Sequence, residues 1–137
     1  MDLNVEGVSE GKIRLNDLII SGVSFKRERD IQNIQLELRV GHRFFKTESG
    51  EDVAELILDI KDKNDNEGRL DLKVTACGFF SVNAEDKTDY RPNMLAIIFP
   101  YIRSQITLIT AQPNMEPIVL PTVNINEFLK NKKAGGD

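Results

Sequence analysis

The chain of 137 residues has one cysteine, one histidine and no tryptophan. A conventional zinc site takes several cysteine or histidine ligands, so Cys77 and His42 are too few to form one. A single cysteine also excludes an intramolecular disulfide framework and is typical of a reducing compartment. We therefore expect a cytoplasmic protein without a bound metal.

Motifs for catalysis are missing as well. The sequence contains neither a P-loop nor a G-x-G-x-x-G run. A catalytic His42 would need a nucleophile and an orienting carboxylate, and no motif supplies them. Cys77 lies within an apolar strand pattern, where a buried and inert thiol is expected. The sequence therefore predicts a protein that is not an enzyme and needs no cofactor. A small-molecule enzyme or ligand-binding domain is an alternative, and it would need a deep polar pocket around His42.

An excess of positive charge and a membrane-spanning run are also absent. The formal net charge is −4, whereas binding to nucleic acid phosphates takes clustered Lys and Arg. The apolar stretch from Met94 to Ile109 is shorter than the ~20 residues that cross a bilayer, and Pro100 and Arg103 interrupt it. The N-terminus has no basic segment followed by an apolar run, so it is not a secretory signal. We expect no nucleic-acid partner and no membrane insertion.

What the sequence does contain is a globular composition, with 40% apolar and 29% charged residues. Its length is typical of one domain, which we expect to span residues 1–137 with flexible ends at 1–12 and 130–137. Apolar and polar residues alternate with period two across 34–40, 54–60 and 70–76, and an earlier strand is expected at about 14–25. Short turn-forming runs separate the later strands, which predicts antiparallel neighbours in a meander.

The last third of the chain changes to helical spacing. Apolar residues from Met94 to Ile109 recur every three or four positions and give a wide apolar face. Pro100 is expected to start, kink or interrupt this helix. A connector bracketed by Pro113 and Pro117 follows, and a short second helix over 127–129 is capped by an asparagine at 124 or 126. Strands followed by helices predict an α+β fold, a four-stranded antiparallel sheet with two C-terminal helices packed on one face.

Four short motifs in this order resemble SecB, the bacterial protein-export chaperone family. They are Val23-Ser24-Phe25, Gly78-Phe79-Phe80-Ser81-Val82, Ile98-Phe99-Pro100-Tyr101 with Arg103, and Leu120-Pro121-Thr122-Val123-Asn124-Ile125. The resemblance covers roughly residues 20–129. It implies a SecB-like domain that acts as an ATP-independent holdase, binds unfolded polypeptide in apolar grooves and delivers it for export to the SecA translocase.

The resemblance also implies a homotetramer, a dimer of dimers that packs through the long helices. The helix is apolar on most of its sides, and burial between protomers would account for that. We expect the oligomer interface at Met94, Ile98, Tyr101, Ile102, Gln105 and Ile109. We expect the client groove at Phe44, Phe45, Phe79, Ile118, Val119 and Leu120, beside the connector 113–121.

One surface departs from the family pattern. The family's translocase-docking face carries acidic residues on the first and fourth strands, and the corresponding positions here are Gly22, Lys26, Asp71 and Lys73. Two of the expected acids are therefore lysine or glycine, and the acidic tail of the family is replaced by lysines at 130–133. SecB-like proteins outside the export pathway include chaperones dedicated to one antitoxin in toxin–antitoxin–chaperone systems. That role is the alternative to export.

Overall fold

The computed structural model describes residues 12–63, 68–83 and 87–122. These residues form four strands and one helix: β1 Ile13–Arg27, β2 Leu36–Lys46, β3 Asp52–Asp62, β4 Leu70–Val82 and α1 Arg91–Thr110. All neighbouring strands are antiparallel. The predicted α+β class and four-stranded antiparallel sheet are therefore confirmed, with one helix packed on the sheet. The second predicted helix lies outside the described residues.

The order of the strands across the sheet is β1-β4-β3-β2. The strands β2, β3 and β4 form the predicted meander, but β1 pairs with β4, with Ile13 opposite Val82 and Arg27 opposite Leu70. That prediction rested on the short turns between the later strands, and it did not specify the partner of β1. Residues 28–35, which we name the crossover segment, carry the chain from one edge of the sheet to the other. Ile31 and Ile34 within it pack against the core, which stabilises this long connection.

The period-two pattern places one face of the sheet against α1. β3 and β4 are the central strands, and their helix-side residues are almost fully buried. These residues are Ala54, Leu56, Leu58, Ile60, Leu70, Leu72, Val74, Ala76 and Phe80. The helix contributes Met94, Leu95, Ile98, Phe99, Ile102 and Ile106 to the same core. The opposite face of the sheet, which we name the open face, has no described element packed on it as a second layer.

The helix α1 runs from Arg91 to Thr110 without a break at Pro100. Pro100 lies inside the helix and is exposed, so it neither starts nor interrupts α1. The helix crosses the sheet closely at Gly78. A Cβ atom there would lie 2.7 Å from Phe80 Cε2 and 2.9 Å from Ile98 Cδ1, so the packing leaves space only for glycine.

Candidate functional site

A groove of about 790 Å³ lies at the end of the sheet where β2 and β4 begin. Its two walls are the crossover segment and residues 111–122, which we name the connector. The apolar lining consists of Ile31, Ile34, Leu36, Leu70, Met115 and Ile118. The polar lining consists of Gln32, Asn33, Asn114 and Glu116. Glu116 is the single charged residue of this lining, so the groove offers both apolar contacts and hydrogen-bonding groups to a ligand.

The crossover segment has a defined local structure. The carboxylate of Asp30 accepts a hydrogen bond from the backbone N–H of Gln32 at 3.2 Å, as in turns that begin with Asp or Asn. Asn33 then adopts a left-handed conformation with φ of 60°, which asparagine tolerates better than most residues. The turn brings Ile31 and Ile34 onto the edge of the core, where both remain half-buried.

The connector folds back along α1. Asn114 has a φ of 60° and reverses the chain direction just after the helix ends. The backbone N–H of Ile118 then donates to Thr110 Oγ1 at 2.7 Å, and Arg103 Nη1 donates to Thr122 Oγ1 at 2.9 Å. These bonds hold the connector against the helix and present Met115 and Ile118 to the groove.

One guanidinium group links the two walls. Arg27, the last residue of β1, donates from Nε to the carbonyl of Glu28 and from Nη2 to that of Arg29, both at 3.0 Å. Its Nη1 donates to the carbonyl oxygen of Pro113 in the connector at 3.3 Å. The planar guanidinium carries several donors in a fixed fork, which suits it to three carbonyl groups at once.

The predicted groove residues do not form one surface. Ile118 lines the groove, Leu120 is buried in the core, and Val119 between them is 73% exposed outside the lining. Phe45 and Phe79 lie on the open face, on either side of Val53.

Phe44 lies on the helix side near the far end of β2. Its ring is 5.5 Å from that of His42 and 5.6 Å from the guanidinium carbon of Arg91. It is therefore in a different part of the molecule from the groove. The sequence reasoning missed Ile31, Ile34 and Met115, although two isoleucines in an otherwise polar segment between strands were a usable signal.

The predicted interface residues divide between two sides of α1. Met94, Ile98 and Ile102 are buried against the sheet of their own protomer. Tyr101 is 52% exposed, and Leu108, two turns further along the helix, is 67% exposed. Gln105 and Ile109 are half-buried at the margin. The outer side of α1 therefore offers apolar surface through Tyr101 and Leu108.

The open face carries acids and bases in similar number. The bases are Arg14, Lys26, Arg39, Arg43, Lys61 and Lys73, and the acids are Asp17, Glu37, Glu55, Asp59 and Asp71. Arg43 and Glu55 form an ion pair of 3.2 Å, and Lys26 lies opposite Asp71 across the β1–β4 pair. Of the four predicted docking positions, Gly22 lies opposite Thr75 and Lys73 opposite both Ser24 and Asp59. This face is not an acidic patch.

Cys77 and His42 lie on opposite faces of the sheet. Burial raises the pKa of the Cys77 thiol, a hydrogen bond with Ser21 lowers it, and the nearby Glu55 carboxylate raises it further. The thiol donates to Glu55 Oε2 at 3.7 Å, and a neutral thiol is a poor nucleophile. Within the described residues, no group of three or more His, Cys, Asp or Glu side chains could hold a metal ion. No helix in those residues is long and apolar enough to cross a bilayer.

Comparisons with known proteins support a SecB-like fold. No protein-family model matches the chain. An uncharacterized protein of Methanocaldococcus jannaschii is 29% identical over 120 residues, which cover 84% of this chain and 76% of that protein. The structure is similar to that of a SecB-like chaperone of Mycobacterium tuberculosis, solved in complex with a ChAD peptide from an antitoxin. That match has a TM-score of 0.65 and 14% identity, and it covers 81% of this chain and 90% of that one. The chain therefore has the fold of SecB-like chaperones, as the sequence motifs predicted.

Proposed function

We propose that this protein is an ATP-independent chaperone that holds an extended, non-native segment of another polypeptide, with an antitoxin as its client. The observation that carries this proposal is the groove between the crossover segment and the connector. Its lining combines six apolar residues with four polar ones, and Leu36 at its margin is 42% exposed. The antitoxin peptide bound to the structural neighbour supports a polypeptide client.

The size of the groove bears on how tightly a client would be held. Burial of a client Leu or Phe side chain contributes ~1.5–3 kcal/mol. A volume of about 790 Å³ holds only a few such side chains. Their summed gain is of the same order as the association and ordering costs of ~4–15 kcal/mol. A single groove would therefore bind weakly, and several grooves on one particle would add avidity for long unfolded chains.

We propose that the particle is a homotetramer, a dimer of dimers. The exposed Tyr101 and Leu108 on the outer side of α1 support this assembly, because apolar residues on one helix face favour packing against another protomer. Four protomers would present four grooves. Client avidity therefore depends on tetramer formation in this proposal.

The open face favours the antitoxin role over protein export. Export as the resemblance describes it requires an acidic face for the SecA translocase. Lys26 and Lys73 occupy two of the docking positions, and the face as a whole pairs its acids with bases. A bound antitoxin segment needs no such face, because the groove lies on the helix side of the sheet.

The function is tested by fluorescence anisotropy without nucleotide. The probes are labelled lysozyme that has been reduced and alkylated, which cannot refold, and the same lysozyme in its native form. We expect binding to the unfolded probe and none to the native one. A segment of an antitoxin encoded next to this gene should bind more tightly than the unfolded lysozyme if the client is dedicated. Equal affinity for native and unfolded lysozyme would contradict the chaperone function itself.

A further inference from the structure

The connector is attached to α1 by side chains of the helix. Among the described residues, 116–122 make no backbone-to-backbone hydrogen bond outside this segment. Instead, both backbone groups of Ile118 are bonded to threonine hydroxyls one turn apart on α1. Its N–H donates to Thr110 Oγ1 at 2.7 Å, and its carbonyl accepts from Thr107 Oγ1 at 2.9 Å.

The chemistry of the two hydroxyls fixes which bonds form. A threonine hydroxyl has one proton to donate and lone pairs to accept. Thr110 is fully buried and donates its proton to the carbonyl of Ile106 at 2.7 Å, which leaves a lone pair for the N–H of Ile118. Thr107 is closer to the carbonyl of Ile118 than to that of Arg103, at 2.9 Å against 3.4 Å. The backbone N–H and the carbonyl group of Ile118 therefore each have a hydrogen-bond partner on α1.

Ile118 is the connector residue whose side chain lines the groove while its backbone is held at two points. A shift of its backbone would move the side chain relative to Ile31 and Ile34 on the opposite wall. We propose that Thr110 and Thr107 are positioning residues that fix Ile118 at the groove and thereby set the affinity for the client. This inference rests on the proposed function, because it assumes that the client binds in the groove.

The substitution Thr110→Val tests the inference. Valine has nearly the same shape but leaves the N–H of Ile118 without an acceptor. We expect the affinity for reduced and alkylated lysozyme to fall roughly tenfold, because an unpartnered amide must move to find water. Thr110→Ser keeps the hydroxyl and should restore most of the affinity. Hydrogen exchange of the Ile118 amide should accelerate in Thr110→Val, while exchange of the β3 and β4 amides stays as in the wild type.

Thr47→Val is the matched control. Thr47 Oγ1 also accepts a backbone amide, from Glu51 at 3.0 Å, but in the β2–β3 hairpin at the other end of the sheet from the groove. This variant should bind the probe as the wild type does. If Thr110→Val is too unstable to purify, Thr107→Val removes only the bond to the Ile118 carbonyl and should lower the affinity a few-fold.

The outcomes separate the two proposals. Failure of the wild type to bind unfolded lysozyme would contradict the proposed function. If the wild type binds and both valine variants bind as tightly, with the Ile118 amide released in Thr110→Val, the positioning role is wrong. A loss of affinity that Thr110→Ser does not restore would also overturn it, because the hydroxyl would then not be the group that matters.

Discussion

Arg27 Nη1 donates a hydrogen bond to the carbonyl oxygen of Pro113 at 3.3 Å, and so joins the end of β1 to the connector across 86 residues of sequence. The same guanidinium also bonds two carbonyl groups at the start of the crossover segment. Both walls of the groove are therefore attached to one side chain. These hydrogen bonds therefore hold the crossover segment and the connector at a fixed distance from each other.

The substitution Arg27→Lys tests that attachment. A lysine ammonium is a point charge on a flexible stem and cannot reproduce the three-carbonyl fork. We expect faster amide exchange in both walls and a few-fold loss of affinity for an unfolded probe. The affinity of Arg27→Ala should be no lower than that of Arg27→Lys. The global unfolding midpoint should change little, since these bonds lie at the solvent-exposed surface. Wild-type affinity in Arg27→Lys would show that the fork does not position the walls.

Adjacent connector residues give a sharp test of the groove. Ile118 lines it, whereas Val119 is 73% exposed outside the lining. Ile118→Asp should weaken suppression of aggregation of a denatured client at least tenfold, because the groove would bury a carboxylate. Val119→Asp should leave suppression close to wild type. The reverse pattern would place the client on the outer surface of the connector.

The close approach of α1 to β4 predicts a large effect of one methyl group on stability. In Gly78→Ala the new Cβ would lie within 3 Å of Phe80 and Ile98, so the free energy of unfolding should fall by about 1–3 kcal/mol. Gly41→Ala is the control, because its Cβ would lie 3.8 Å from Ile57, an ordinary contact. Urea unfolding at one protein concentration measures both. Equal stability of the two variants would contradict the packing of α1 on the sheet.

Oligomerisation through the outer side of α1 predicts the effect of a charge there. Leu108→Glu should reduce the mass measured by light scattering from four chains to fewer, since an apolar interface does not tolerate an unpaired carboxylate. Arg39→Glu, on the open face with a side chain 75% exposed, should leave the mass unchanged. A wild-type protein that is monomeric at micromolar concentration would remove both the interface and the avidity argument.

The thiol of Cys77 should react slowly in the folded protein. Its pKa is raised, chiefly by burial, so the thiolate form is present only at a pH above the ordinary range for cysteine. Iodoacetamide at pH 7.5 should label the native protein far more slowly than the urea-unfolded protein, and the native rate should rise as the pH increases. Rapid labelling of the native protein at pH 7.5 would show an exposed thiolate.

The sequence predicted those features that depend on local periodicity. The buried side chains can be predicted from the apolar alternation in β2, β3 and β4 and from the three-four spacing of apolar residues in α1. β1 pairs with β4, which is far from it in sequence. The period-two pattern shows which residues of a strand face the core, but it does not show which strand lies beside it. The meander of β2, β3 and β4 was therefore predictable from their short turns, whereas the pairing of β1 with β4 was not.

The groove was predicted only in part, because it is built from loops. Ile118 was identified from the apolar connector, but Ile31 and Ile34 become groove residues only once the crossover segment spans the sheet. Phe45 and Phe79 were assigned to the groove from their apolar character. The strand register places them on the open face, since a position's face follows from its partner across the sheet.

Photo-crosslinking from defined positions tests the central claim, that a non-native polypeptide binds between the crossover segment and the connector. A photoreactive amino acid replaces Met115 in the groove or Lys73 on the open face, and each variant is irradiated with labelled, reduced and alkylated lysozyme. Adducts should form from position 115 and be competed away by unlabelled probe, with none from position 73. Adducts only from position 73, or equally from both positions, would contradict the account.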